Sequence, residues 1–151
     1  MNTVNGYQQR FLSHGKTLSR LPRRVALCLI AAAALCPGAP VVTNVLNGAS
    51  YGGVLAPGTW AAIFGTGLAT SAATATSVPL ATTLGSVMVT FGGVAAPLYY
   101  VSPNQINAVI PFTVAIPKTS GSTVPVVVTV GSTASAAFNV MLSADAPAIF
   151  T

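Results

Sequence analysis

The chain has 151 residues, enough for one ordinary domain, and only 5% of them are charged. Its formal net charge is +5, but five of the six basic residues precede the first apolar run. From Val41 to Thr151 the charged side chains are Lys118 and Asp145, which sum to +1 − 1 = 0. A nucleic-acid surface needs several Lys or Arg side chains to neutralise phosphates, so this composition excludes a nucleic-acid partner.

The N-terminus has the order of a secretory signal. Residues 1–24 are polar and basic, and Val25–Leu35 is an uninterrupted apolar segment of 11 residues. Small residues and helix breakers follow, so we expect either cleavage near Ala39 or retention as a hydrophobic anchor. The sequence therefore predicts a signal or anchor helix within 1–40 and a mature domain at 41–151, secreted or displayed at a bacterial cell surface.

The domain at 41–151 alternates short β-prone segments with turn residues, at the spacing of a β-sandwich. Its apolar runs are far shorter than the roughly 20 residues that span a bilayer, so the mature domain is predicted not to cross a membrane. Strands are predicted, in chain order, at Val41–Leu46, Thr59–Phe64, Val87–Phe91, Val94–Ser102, Ile106–Ile110, Pro125–Val130 and Ala137–Leu142. Six or seven strands in about 110 residues predict an all-β, immunoglobulin-like sandwich.

Glycines and hydroxyl-bearing residues mark the connections between these strands. Gly65–Gly67 is predicted to end the second strand, and Gly92-Gly93 to turn the chain after the third. Ala69–Ser77 is predicted to be a loop. The two-residue period of a strand predicts that the residues of each of three sets share one face of their strand: Val87, Val89 and Phe91; Val126, Val128 and Val130; Phe138, Val140 and Leu142.

Four segments carry a resemblance to a known family. They are TWAAIFGTGL at 59–68, VMVTFGGVAAP at 87–97, VSPNQINAVIP at 101–111 and VVVTVG at 126–131. In this order and spacing they resemble the IPT/TIG immunoglobulin-like domain. With NGASYGG at 47–53, the pattern is also similar to a repeated domain found toward the C-termini of large secreted proteins of acidobacteria.

The resemblance implies architecture only: an exported or surface-displayed sandwich with no established catalytic or ligand residues. Members of the acidobacterial family sit at the end of long proteins and continue beyond the position of Thr151. Here one copy follows a leader, so the chain is expected to be a truncated or minimal member.

Catalytic chemistry is not expected, because acid–base catalysis needs a pair of titratable groups and the domain has Asp145 without a carboxylate or histidine partner. His14, Cys28 and Cys36 all lie in the leader, which leaves no disulfide and no thiolate metal site in the domain. One carboxylate cannot build a calcium site. We therefore predict a non-enzymatic domain with no catalytic residue, cofactor or metal, and interpret Lys118 as a solvated side chain in a turn.

Trp60 and Phe64 form the candidate interaction surface. They share a strand face, and the resemblance places Ala61 and Ile63 on the core side. Trp60 and Phe64 would then point outward as an apolar patch, of the kind that marks interfaces or sugar-stacking platforms. The alternative is that the strand is covered on both sides, with Ala69–Ser77 lying over these rings.

Two functions remain open from the sequence. The first is a structural or adhesive module that contacts other extracellular domains or a cell-surface protein or polysaccharide. The second is a carbohydrate-binding accessory module. Its stacking and hydrogen-bonding residues would be Trp60, Phe64, Tyr99 and Tyr100 with Asn104, Gln105 and Asn107.

Overall fold

Two antiparallel β-sheets packed face to face make up the computed structural model, which describes residues 38–116 and 123–146. The leader predicted for 1–40 falls, up to residue 37, outside the described residues, and so does Lys118. Among the residues described there is no helix long and apolar enough to cross a bilayer.

The strands follow one another with short connections. Those of the two described ranges are β1 Val41–Asn47, β2 Trp60–Thr66, β3 Ala73–Thr74, β4 Thr83–Leu84, β5 Val87–Phe91, β6 Val94–Ala95, β7 Leu98–Val101, β8 Gln105–Val109, β9 Val124–Val130, β10 Thr133–Ala134 and β11 Phe138–Val140. Seven of them have three or more residues, and all seven overlap segments predicted as strands. The two-residue β3 lies in the segment predicted as a loop, because so short a pairing leaves no hydrophobic period to detect.

Sheet 1 has the strand order β1-β2-β8-β7-β3, and sheet 2 has the order β10-β9-β5-β4. In sheet 2, β11 also pairs with β9, and β6 also pairs with β5. Every strand pair is antiparallel. The predicted fold class, an all-β immunoglobulin-like sandwich, is confirmed.

The core lies between the sheets and is built by the two-residue period of the longer strands. The predicted shared faces of β5, β9 and β11 are confirmed, and the structure turns them inward: their apolar side chains belong to the core or pack against it. Sheet 1 contributes the opposing layer. The largest fully buried side chains are Phe91, Leu55, Ile63, Leu68, Leu98, Ile106, Ile110, Val87, Val89, Val101, Val126 and Val128.

Strand β2 extends two residues further than predicted. Gly65 continues the pairing with Val42 of β1, and the left-handed turn residue is Gly67, with a φ of 65°. Gly65 is needed for close approach, because a Cβ atom at this position would collide with the carbonyl oxygen of Val41. The prediction of a turn beginning at Gly65 was wrong, because a glycine can be required where another strand approaches closely as well as where the chain turns.

Replacing Gly65 with alanine is expected to lower the free energy of unfolding by about 1–3 kcal/mol, because β1 must move away from the new methyl group. Urea denaturation measures the change. Gly53→Ala is the matched control, since nothing lies within 4 Å of a Cβ atom at Gly53. Equal stability of the two variants would mean that β1 and β2 accommodate the methyl group freely.

Candidate functional site

The outer face of sheet 1, turned away from the core, carries the predicted aromatic residues. Ala61 and Ile63 belong to the core cluster, and the alternating residues Trp60, Ala62 and Phe64 point to the other side. Trp60 and Phe64 are half-buried. Ala62 is only 2% exposed although it lies outside the core cluster, so other side chains surround it on this outer face.

A cleft of about 630 Å³ opens beside Trp60 on this face, and we call it the Trp60 cleft. Its lining is predominantly apolar and comes from β2, β7, β8, the β1–β2 loop and the segment between β3 and β4. The lining residues are Gly48, Tyr51, Trp60, Ala61, Ala62, Val78, Leu80, Tyr99 and Asn107.

One wall of the cleft depends on a β-bulge in β7. The pairing of β7 with β8 shifts register between Leu98 and Tyr100. Leu98 and Val101 are both fully buried, so the two tyrosines between them lie outside the core. The Tyr99 ring meets the Trp60 ring edge to face, with centroids 5.6 Å apart and an interplanar angle of 81°. The bulge thus leaves both Tyr99 and Tyr100 outside the core, and the Tyr99 ring packs against Trp60.

The loop that follows β1 also lines the cleft, and backbone hydrogen bonds hold it in place. The Gly48 N–H donates to the Trp60 carbonyl at 2.7 Å, which ties the loop to β2. The Asn47 N–H donates to the Gly52 carbonyl and the Tyr51 N–H donates to the Asn47 carbonyl, each at 2.8 Å. Tyr51 is therefore held at the rim of the cleft.

The Asn47 side chain organises the same loop from inside. It is 3% exposed. Its Oδ1 accepts hydrogen bonds from the N–H groups of Ala49 and Ser50, at 2.9 and 3.4 Å, and its Nδ2 donates to the carbonyl of Val54 at 3.4 Å. A buried amide with all three contacts inside one loop fixes the path of that loop.

Phe64 reaches the site indirectly. It does not line the Trp60 cleft. Its ring lies in a tilted pair with Tyr51, with centroids 6.5 Å apart and an interplanar angle of 32°. Phe64 therefore supports the cleft wall through Tyr51.

Asn107 contributes a polar side-chain amide to the lining of the cleft. Gln105 Nε2 donates a hydrogen bond to Asn107 Oδ1 at 2.9 Å. This bond orients the Asn107 amide, and among the described residues no acceptor takes a hydrogen bond from its Nδ2. Asn107 can therefore donate up to two hydrogen bonds to a molecule in the cleft.

The site carries no acid–base chemistry in the described ranges. Asp145 is the charged side chain there, and it does not line the cleft. Within 38–116 and 123–146 there is no cluster of three or more His, Cys, Asp or Glu side chains that could hold a metal ion. The arrangement suits binding of an uncharged, apolar group.

The structure brings some of the sequence candidates together and separates others. Trp60, Tyr99 and Asn107 line the cleft, whereas Tyr100 and Asn104 do not. Asn104 lies in the turn before β8, where its carbonyl accepts a hydrogen bond from the Gly65 N–H.

Sequence reasoning missed several lining residues. Tyr51 belongs to the loop after β1, and Val78 and Leu80 lie in the segment between β3 and β4. The Ala69–Ser77 segment, considered as a cover for β2, supplies none of the lining. An isolated large apolar residue among turn residues, such as the Tyr in NGASYGG, was the available signal.

Together, the two antiparallel sheets and the core between them define an immunoglobulin-like sandwich. The profile of the IPT/TIG domain matches residues 40–142. The chain belongs to the IPT/TIG domain family, whose members are generally non-catalytic.

A solved structure with a similar chain path is the gamma-CGTase from alkalophilic Bacillus clarkii, determined at 1.65 Å resolution. The identity is 19% and the TM-score is 0.46, over 70% of this chain and 12% of the enzyme's chain. This chain therefore corresponds to a small part of that enzyme's length. The search of curated protein sequences found no match.

Proposed function

We propose that this chain is an exported, non-catalytic interaction module that binds its partner in the Trp60 cleft. One observation carries the proposal. Three apolar side chains stay exposed at the lining of this one cleft: Tyr51 at 60%, Val78 at 91% and Tyr99 at 45%. Exposed apolar side chains gathered around a concave surface are the usual mark of a binding site.

The lack of catalytic chemistry supports the second part of the proposal. The cleft offers aromatic rings, aliphatic groups and an amide, and among its lining residues no carboxylate, imidazole, amine or thiol stands beside a tyrosine to form an acid–base pair. Membership of a family that is generally non-catalytic agrees with this.

Export is proposed from the leader, since a basic segment followed by 11 apolar residues is the pattern of a secretory signal. A mature domain at 41–151, free in the medium or displayed at a bacterial surface, would meet extracellular partners. We extend the proposal to the repeated acidobacterial domain, because NGASYGG at 47–53 corresponds to the loop that holds Tyr51.

A polysaccharide is the second candidate. The Trp60 and Tyr99 rings and the Gln105–Asn107 amide pair favour it, since sugars stack on aromatic rings and need polar partners. The lining is predominantly apolar, however: its side-chain donors are the Asn107 amide, the hydroxyls of Tyr51 and Tyr99 and the indole N–H of Trp60, which are few for a polyhydroxylated ligand.

The test uses the fluorescence of Trp60, the single tryptophan of the full chain. The chain is titrated with N-phenyl-1-naphthylamine, an uncharged aromatic probe, and with cellohexaose. A saturable change with either probe is expected, and Tyr99→Ala should weaken that binding about tenfold, because it removes the wall that meets Trp60.

Phe112→Ala is the control, since Phe112 is an aromatic residue that is 81% exposed and does not line the cleft. It should bind like the unaltered chain. A folded chain that responds to neither probe, or equal weakening by both substitutions, would contradict the proposed function.

A further inference from the structure

We propose that Tyr51 is a binding residue that closes the Trp60 cleft over an uncharged, ring-bearing small molecule, and that the chain keeps a strained backbone to hold it there. This inference rests on the proposed function. It adds the chemical class of the ligand and the residue that selects it.

The strain lies in the backbone of Tyr51, whose φ is 54°. This is the left-handed region, which a bulky side chain enters at a cost and glycine enters freely. Gly52 and Gly53 follow at once, so the loop already contains glycines. A tyrosine at the strained position is therefore not explained by the needs of the turn.

The loop imposes this conformation regardless of the side chain at position 51. The hydrogen bonds that fix it come from backbone groups and from the buried Asn47 amide. Glycine or asparagine at position 51 would satisfy the same framework with less strain. Strained residues that the framework holds in place cluster at ligand-binding sites.

Burial in the core does not account for Tyr51 either. Its side chain is 60% exposed, and its ring lies 6.5 Å from the Phe64 ring, in a tilted rather than a closely stacked pair. In its observed position, Tyr51 lines the Trp60 cleft together with Trp60 and Tyr99. Tyr51 is thus placed to cover a bound molecule.

The ligand class follows from the size and charge of the cleft. About 630 Å³ is within the range of small-molecule sites. No charged side chain lines it, so an ionised ligand would lose its hydration without gaining a counter-charge. The Nδ2 group of Asn107 supplies N–H donors, which an oxygen atom or the face of an aromatic ring can accept. An uncharged molecule with one or two ring systems fits these conditions.

A second copy of the chain and a polysaccharide are the competing occupants. A copy would have to insert a protruding apolar side chain, and Phe112 is such a side chain, at 81% exposure. That contact would form a closed dimer if two copies exchanged it reciprocally and an open chain if they did not. Self-association abolished by Phe112→Ala would identify this occupant.

The experiment compares two probes and three variants of the full chain. N-phenyl-1-naphthylamine is uncharged, and 8-anilinonaphthalene-1-sulfonate has the same rings with an added sulfonate. We expect the uncharged probe to bind at least about tenfold more tightly. Tyr51→Phe should bind it like the unaltered chain. Tyr51→Gly and Tyr51→Asn should bind it about tenfold more weakly, with a thermal unfolding midpoint that is unchanged or higher.

The outcomes separate this inference from the proposed function. Equal binding by Tyr51→Gly, equal affinity for the two probes, or a lower midpoint in both the glycine and the asparagine variants would overturn the role of Tyr51 or the ligand class. A response of Trp60 to cellohexaose alone would also overturn it, while leaving the proposed function in place. If the folded chain responds to no probe, both the inference on Tyr51 and the proposed function are contradicted.

Discussion

Replacing Phe91 with alanine is expected to lower the free energy of unfolding by about 3–5 kcal/mol. Phe91 is the largest fully buried side chain of the described core, at the end of β5 where it pairs with Val126 of β9 and Val94 of β6. The substitution removes a whole ring from between the two sheets, and the strands cannot close the space without losing their register. Urea denaturation followed by far-ultraviolet circular dichroism measures the loss.

Phe112→Ala is the control for this prediction too, because it removes the same ring from an 81% exposed position. Its effect should stay within about 0.5 kcal/mol. If the two phenylalanine substitutions destabilised the chain equally, the packing between the sheets would not be what stabilises it.

Asn47→Ala is expected to have the second-largest effect, about 2–3 kcal/mol of unfolding free energy. The substitution leaves the N–H groups of Ala49 and Ser50 and the carbonyl of Val54 without the side-chain amide that they contact. It should also weaken binding in the Trp60 cleft, because the loop that carries Tyr51 loses its internal support. Denaturation and probe titration of one preparation measure both effects.

Asn44→Ala is the matched control, since Asn44 is exposed on the same strand and its Oδ1 bonds only the adjacent Val45 N–H, at 3.0 Å. It should change stability by less than about 0.5 kcal/mol and leave binding intact. If Asn47→Ala binds the probe like the unaltered chain, the support that Asn47 gives to the loop does not affect binding in the Trp60 cleft.

The sandwich could be predicted because its core obeys the simplest strand rule. Val87, Val89 and Phe91 alternate with exposed or half-buried residues, and the strand they form was predicted with its observed bounds. Glycine pairs mark turns equally well: Gly92 and Gly93 have φ values of 56° and 84°. In these segments the local sequence pattern and the tertiary packing agree, so the two-residue period was enough to predict the strand and the face that its apolar residues share.

The candidate site could be predicted only in part. The alternation in β2 indicates the outward direction of Trp60. It cannot indicate the bulge in β7, because a regular period would put Leu98 and Tyr100 on the same face. The register shift that separates them arises only when β7 pairs with β8.

The remaining lining residues depend on long-range contacts. The buried amide of Asn47 shapes the loop at Asn47–Gly52. The sequence Asn-Gly indicates only a tight turn and does not predict this role of the side chain. Leu80 lines the same cleft as Trp60 only because the segment between β3 and β4 passes the outer face of sheet 1. Such meetings are a property of the assembled sheets.

The scarcity of charge between Val41 and Thr151, where Lys118 and Asp145 are the charged side chains, has a kinetic consequence. Without a field to guide approach, encounters rely on undirected diffusion, with association rate constants of about 10⁵–10⁶ M⁻¹s⁻¹ when the partner is a macromolecule. Added salt should alter those rates little. Discrimination among partners must then come from how long each one stays bound, and residence time would be set by the closing of aromatic rings around it.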